Sequence, residues 1–247
     1  MPANYLDVMP KIIGHRGACG HAPENTLASL KKAAELGLTS VEIDVMLTSD
    51  DACVICHDHD VRRCTNGSGK VRLKNLSELQ QLDAGSKFDP EFSNQKIPTM
   101  AEAFTCLNEL GMSVNLEIKP LGGWQVPTAL QVGAELKKNS QSLPPLLISS
   151  FNIEALQTIK PIVPNIPLGY LTDTIPHNWQ QRLADVGASS LHVDKDFVTA
   201  DAVKAVQAAG YKFLVYTVND PEHAKQLLAW NVDGIITDFP DRLGQLA

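Results

Sequence analysis

The chain has 247 residues, a formal net charge of −7, 44% hydrophobic residues and 20% charged residues. An acidic chain lacks the clustered cations of a sequence-independent grip on nucleic acid, and no stretch approaches the ~18 consecutive apolar residues that predict stable membrane insertion. Five irregularly spaced cysteines, behind an N-terminus (Met1 to Asp7) without basic flank or apolar core, predict a reducing, cytoplasmic setting.

Strand-length apolar runs alternate with helix-period segments, the pattern of βα units. Lys11–Gly14 is a first strand and Glu24–Leu36 an amphipathic helix. Ser40–Thr48 is a second strand, turned at Asp50-Asp51 into a hairpin arm, Ala52–His57. Residues 58 to about 98 break the rhythm with Asn66-Gly67-Ser68-Gly69, Ala84-Gly85-Ser86 and Asp89-Pro90, around one short helix at Ser77–Leu82. Loops this long in compact domains are commonly functional, so the stretch reads as an insertion over one end of the fold.

Beyond it, strands are predicted at Ser113–Lys119, Leu146–Ser150, Ile166–Leu171, Ser189–Val193, Lys212–Val218 and Gly234–Thr237. Helices fall between them at Thr99–Leu110, Gln125–Lys138, Ile153–Lys160, Asn178–Val186, Thr199–Ala209 and Pro221–Ala229. The expected fold is a TIM-type (β/α)₈ barrel. It forms one domain over 1–247, with a small insertion (about 58–98) after the second-strand hairpin.

Barrel enzymes carry their chemistry at the C-terminal ends of strands. Side chains alternate along a strand, so Glu42 and Asp44 share one face, and Asn115, Glu117 and Lys119 share another. The intervening Val, Ile and Leu positions can cover the helices, which turns the charged face into the barrel. Three inward carboxylates repel unless a positive charge is shared. A hard divalent cation, Mg²⁺ or Ca²⁺, meets that need through Glu42, Asp44 and Glu117. Internal salt bridges to Arg16 and Lys119 are the alternative. The hairpin brings position 57 back opposite about position 44. His57 then lies beside the acids, while His15 approaches from the first strand, giving the two imidazoles of a general acid–base pair.

These segments together resemble the glycerophosphodiester phosphodiesterase family of the cytoplasmic bacterial type. The matching pieces are His15-Arg16-Gly17, Pro23-Glu24-Asn25-Thr26, Val41-Glu42-Ile43-Asp44-Val45, His57-Asp58, Leu116-Glu117-Ile118-Lys119, Val215-Tyr216-Thr217-Val218-Asn219 and Asp233-Gly234-Ile235-Ile236-Thr237-Asp238 with Pro240. The resemblance implies cation-dependent hydrolysis of a small-molecule glycerophosphodiester, such as glycerophosphocholine or glycerophosphoethanolamine, to sn-glycerol 3-phosphate and an alcohol. It implies acid–base roles for His15 and His57, and a metal-ligand role for Glu42, Asp44 and Glu117. Arg16 and Lys119 would contact phosphate. Tyr216 stands where the family frequently has Trp and keeps an aromatic wall for the substrate. The nucleophile is water or the neighbouring glycerol hydroxyl, the latter giving a cyclic phosphate first. The oligomeric state stays open between monomer and homodimer.

Several other signals carry less. Cys53-Val54-Ile55-Cys56-His57 matches a haem-attachment pattern, but on a strand the two cysteines face opposite ways, which also disfavours zinc at Cys53, Cys56 and Cys64. His21 and His59 read as loop residues, His192 as a residue that could face the barrel mouth, and Cys19 as a small buried thiol. The rivals are a related phosphodiesterase of lysophospholipids or phosphoinositides, and a barrel that only binds phosphate esters.

Overall fold

The computed structural model describes residues 4–244. Strand β1 (Ile12–His15) leads to helix α2 (Leu27–Glu35), preceded in the chain by the short helix α1 (Tyr5–Val8). Strand β2 (Ser40–Leu47) turns into β3 (Cys53–Ile55), and α3 (Leu76–Gln81) lies within the insertion. The regular alternation then runs α4 (Met100–Glu109), β4 (Ser113–Ile118), α5 (Gln125–Lys138), β5 (Leu146–Ser150), α6 (Ile153–Ile159) and β6 (Leu168–Thr172). It finishes with α7 (Trp179–Val186), β7 (Ser190–Asp194), α8 (Ala200–Ala208), β8 (Lys212–Tyr216), α9 (Pro221–Ala229), β9 (Gly234–Thr237) and α10 (Pro240–Leu243).

Among the described residues the sheet order is β1-β9-β8-β7-β6-β5-β4-β2-β3, and the β1–β2 pairing closes it into a barrel. All pairings are parallel except the β2–β3 hairpin. This is the (β/α)₈ barrel that the alternation predicts, with the hairpin arm outside the count of eight. Helix boundaries follow capping chemistry. Thr26, Thr99 and Thr199 each accept a hydrogen bond from a backbone N–H of the first turn. Glu102 answers Thr99 in a capping box.

Outward apolar residues such as Val41, Ile43, Val114, Leu116, Val193 and Val215 pack with the helices into one large core. Inside the barrel, Ile13, Leu214 and Ile236 form a small apolar cluster. The adjoining inward positions are polar, including Ser40, Asn115, Ser149 and His192, all buried. The Tyr5 hydroxyl lies 3.0 Å from Ser40 Oγ and is fully buried, an N-terminal anchor that the hydrophobic pattern does not announce. The insertion has its own core of Val61, Val71, Leu79, Ala84 and Ile97 on Met46 and Val54 of the hairpin. No helix of the described residues is long and apolar enough to cross a membrane.

Candidate active site

The hairpin register pairs Val45 with Ile55 and Leu47 with Cys53, and the Cys56 N–H donates to the Asp44 carbonyl at 2.9 Å. Cys56, and not His57, therefore sits opposite Asp44, one residue from the sequence expectation. The turn closes more tightly than a two-residue Asp50-Asp51 centre, with the Asp51 N–H bonded to the Thr48 carbonyl. His57 lies just beyond the paired strand, where its ring is free to reach the barrel mouth. Cys53 packs in the outer core while Cys56 packs beside the insertion core, the opposite faces expected of a strand.

In-register pairing sets Glu42 beside Asn115 and Asp44 beside Glu117 across β2 and β4. One oxygen of each of Glu42, Asp44 and Glu117 lies within 4.8 Å of the others. All three are buried, and Glu42 Oε1 and Asp44 Oδ1 have no hydrogen-bond partner. Burial, reinforced by the Asp44 charge, pushes Glu117 up to about 8 and Glu42 well above the usual carboxylate range. Unpartnered, mutually repelling oxygens on two adjacent strands fit a hard divalent cation. The alternative of internal salt bridges falls short. Lys119 Nζ stands 3.5 Å from Glu117 and 3.8 Å from Asp44, and Arg16 Nε 3.6 Å from Asp44, which leaves Glu42, among the described residues, with no Lys or Arg within salt-bridge range and only the His15 ring at 3.9 Å.

The β1–α2 loop delivers Arg16. Its backbone is left-handed (φ 50°), and its N–H donates to Glu42 Oε2 at 3.1 Å. Gly17 follows at φ 88°, where a Cβ would stand 2.0 Å from Ser29 Oγ, so glycine is required there. Asn25 donates its amide to Asp44 Oδ2 at 2.8 Å. Arg16 Nη1 is held by Glu24 at 2.9 Å, and Glu24 also binds Arg63 of the insertion at 2.6 Å.

Each histidine is oriented by a carboxylate. His57 Nδ1 is 2.7 Å from Asp58 Oδ1, and Lys119 Nζ is 2.9 Å from His57 Nε2. An ammonium only donates, so Nε2 carries the lone pair and the proton sits on Nδ1, donated to Asp58. Burial, with Arg16 and Lys119 nearby, lowers the pKa of His57 and keeps the ring neutral. Arg63 donates Nε to Asp58 at 2.6 Å and is the main cause holding that carboxyl well below its usual range. Across the pocket, His15 Nδ1 is 2.6 Å from Asp238 Oδ1, and its Nε2 is 3.9 Å from Glu42. Burial would raise Asp238, but hydrogen bonds from His15, Cys19 and Asn219 hold its carboxyl low. His15 therefore also turns Nε2 inward.

Glu42, Glu117, both histidines, Arg16, Lys119 and Tyr216 line one cavity of about 340 Å³ at the C-terminal end of the barrel. Phe151 meets Tyr216 edge-on at 5.9 Å, and the Tyr216 hydroxyl donates to the Thr172 carbonyl at 3.1 Å. Asp44 is buried beside the lining residues Glu42 and Glu117. All eight residues singled out from the sequence thus belong to a single constellation. His192 does not reach the mouth: it is fully buried inside the barrel, bonded to Ser190 at 2.9 Å, with its pKa lowered by burial to about 3. Sequence reasoning missed the orienting residues Asp58, Asp238, Asn219, Asn25, Glu24 and Arg63. For all but Arg63, which lies outside the quoted motifs in the insertion, the signal was their place within those motifs, but no spacing rule names a partner 223 residues away.

The family model of the glycerophosphoryl diester phosphodiesterase family matches residues 15–242. A glycerophosphodiester phosphodiesterase of Caldanaerobacter subterraneus is 36% identical over 238 residues, covering 94% of this chain and 95% of the relative. One from Bacillus altitudinis is 32% identical, covering 95% and 96%. A solved phosphodiesterase of Oleispira antarctica, in complex with the product sn-glycerol-3-phosphate, superposes with a TM-score of 0.94 at 40% identity and covers 98% of each chain. Barrel, pocket and these likenesses agree: the chain is an enzyme that belongs to the glycerophosphoryl diester phosphodiesterase family.

Proposed function

We propose that this enzyme hydrolyses glycerophosphodiesters such as glycerophosphocholine or glycerophosphoethanolamine to sn-glycerol 3-phosphate and an alcohol. The reaction depends on one divalent cation, Mg²⁺ or Ca²⁺, and on acid–base catalysis between His15 and His57. Residues 1–247, insertion included, act as one catalytic domain. One observation carries the reading: two imidazoles, each fixed by a carboxylate in the same tautomer, flank a pocket that also holds three converging carboxylates and two cationic side chains.

Glu42, Asp44 and Glu117 would hold the cation, which supplies Lewis-acid polarisation of the phosphoryl group when bound. Arg16 and Lys119 face the same space and offset charge growing on the phosphoryl oxygens. His57, kept neutral by burial, has an inward lone pair that can take a proton from the nucleophile. The other histidine gives a proton to the departing alkoxide. Asp58 and Asp238 stabilise whichever ring is protonated and prevent it from turning. Tyr216 and Phe151 wall the pocket and shield it from water. Phosphorus NMR of the products under single-turnover conditions separates direct water attack from a cyclic glycerophosphate intermediate.

The test is release of glycerol 3-phosphate from glycerophosphocholine by the purified chain, before and after exhaustive chelation and on adding back Mg²⁺ or Ca²⁺. Release that needs the cation is expected. Absence of release under every condition overturns the activity, and undiminished release from the chelated enzyme removes the cation from the scheme.

A further inference from the structure

A second group of potential ligands borders the pocket: His15 and Asp238, which serve the chemistry above, and Cys19, which has no part in it. Cys19 Sγ lies 2.8 Å from Asp238 Oδ1 and 3.9 Å from His15 Nδ1, and that nitrogen lies 2.6 Å from the same oxygen. One sulfur, one nitrogen and one oxygen therefore surround a common point. The backbone prepares this convergence. The Cys19 N–H bonds to the His15 carbonyl and the Gly20 N–H to the Asp238 carbonyl, so one tight turn carries both His15 and Cys19 and is pinned to the strand that leads to Asp238. Asn219 holds Asp238 Oδ2 at 2.6 Å and leaves Oδ1 to face the other two donors.

We propose that His15, Cys19 and Asp238 form an inhibitory site for a borderline-soft divalent cation, Zn²⁺ or its analogues Co²⁺ and Cd²⁺. The donor set decides the class of ion. Thiolate and imidazole select zinc-like metals, whereas the all-oxygen cluster of Glu42, Asp44 and Glu117 selects Mg²⁺ or Ca²⁺. Three protein ligands leave a fourth position for water. Access does not run through the substrate pocket alone. Cys19 also lines a separate surface cleft of about 190 Å³ with Pro23, Glu24, Arg63 and Cys64.

Binding replaces two hydrogen-bonding protons by one ion. The Cys19 thiol releases its proton to solvent, and the His15 ring exchanges its Nδ1 proton for one taken up from solvent on Nε2, so the ring stays neutral with its single proton on Nε2. A ring held in that form can neither accept a proton on the side that faces the pocket nor give up its Nε2 proton without becoming an imidazolate, so it serves neither half of acid–base catalysis. On the reading of His15 as an acid–base residue, turnover stops even with the oxygen cluster saturated. Because the thiol proton must leave, affinity for the ion rises with pH.

Titrating chelator-treated enzyme with Cd²⁺ or Co²⁺ reads the site without any assay of activity, through the thiolate-to-metal charge-transfer absorption. One equivalent of that absorption is expected in the unaltered enzyme and none from this site in Cys19→Ser, which keeps an O–H donor to Asp238. In the second arm, Zn²⁺ is titrated against glycerol 3-phosphate release at saturating Mg²⁺. Cys19→Ser should need at least about tenfold more Zn²⁺ for half inhibition, the lower end of what altered metal surroundings cost in affinity. No thiolate band in the unaltered enzyme, a band undiminished in Cys19→Ser, or equal Zn²⁺ sensitivity of both proteins overturns the proposal. The absorption arm keeps its meaning if the activity proves to be another, so the two failures are distinguishable.

Discussion

Raising the pH from 6.5 to 8 should destabilise the cation-free enzyme and leave the cation-loaded enzyme almost unaffected. The reason is the acidic trio. Burial raises Glu117 to about 8 in the folded protein against 4.5 when unfolded, and moves Glu42 in the same direction. A carboxyl whose folded pKa is raised binds its proton more tightly in the native state. Its contribution is fully present below pH 4.5 and is lost as pH climbs through the folded value. Between pH 4.5 and 8 the unfolded chain binds fewer protons, so stability falls with pH by up to about 1.4 kcal/mol per unit for each proton taken up. Two neutral histidines, His192 buried and His57 half-buried, oppose this at lower pH. His57 and His192 have folded pKa values below 6.5, and they make stability rise with pH until 6.5. Above that value their contribution fades and the acidic cluster comes to dominate. One proton over 1.5 pH units is worth about 2 kcal/mol, which for a domain of this length is about 4–8 °C in Tm. Calorimetry or dye-monitored melting at pH 6.5, 7, 7.5 and 8, with chelator or with saturating Mg²⁺ or Ca²⁺, measures it. The difference between the two series cancels the histidines. A gap between chelated and loaded Tm that stays constant or narrows as pH rises would refute the electrostatic reading of the trio. Glu117→Gln should flatten the chelated series.

Replacing either imidazole tests the acid–base assignment: His15→Ala and His57→Ala should each lower kcat by at least about a hundredfold, and near-normal turnover in a variant with unchanged melting removes that residue from the role. Asp238→Asn keeps the shape but lets the amide donate to His15, favouring the tautomer with the proton on Nε2. It should lower kcat by roughly a hundredfold with little change in KM, measured by steady-state kinetics, and an effect confined to KM would argue against Asp238 as the group that sets the tautomer.

The framework and the acids were legible because each rests on a local rule. Alternation along β2 and β4 is enough to put Glu42, Asp44, Asn115 and Glu117 on the inner face, and parallel register then aligns Asp44 with Glu117. The helices Gln125–Lys138 and Pro221–Ala229 coincide with their periodic segments. His57 was located to within one residue, since a hairpin's register hangs on its turn and the turn here is one residue tighter than the Asp50-Asp51 pair suggested. What stayed hidden is non-local. The partner of His15 lies on the far side of the chain at Asp238, and the Arg63 that fixes Asp58 comes from an insertion whose sequence reads as loop. His192 was misplaced because alternation tells which face a side chain takes, but not how deep along the barrel axis it lies.

The insertion is therefore tied into the geometry of the proposed catalytic site. Arg63 touches Glu24 and Asp58 together, Glu24 holds Arg16, and Asp58 holds His57 in the tautomer whose lone pair meets Lys119. A guanidinium with forked, directional donors can serve two carboxylates at once, which an ammonium at the same place would not do with comparable geometry. Arg63 is half exposed, so its ion pairs add little to global stability. Their consequence is positional: they connect the small core of Val61, Val71 and Leu79 to the His57 ring that lines the cavity. The barrel wall supplies the acids at fixed spacing, while the less regular segment above it sets the angle of one imidazole. A loop with its own buried core can hold that angle, whereas an unpacked loop of the same length would let the ring turn.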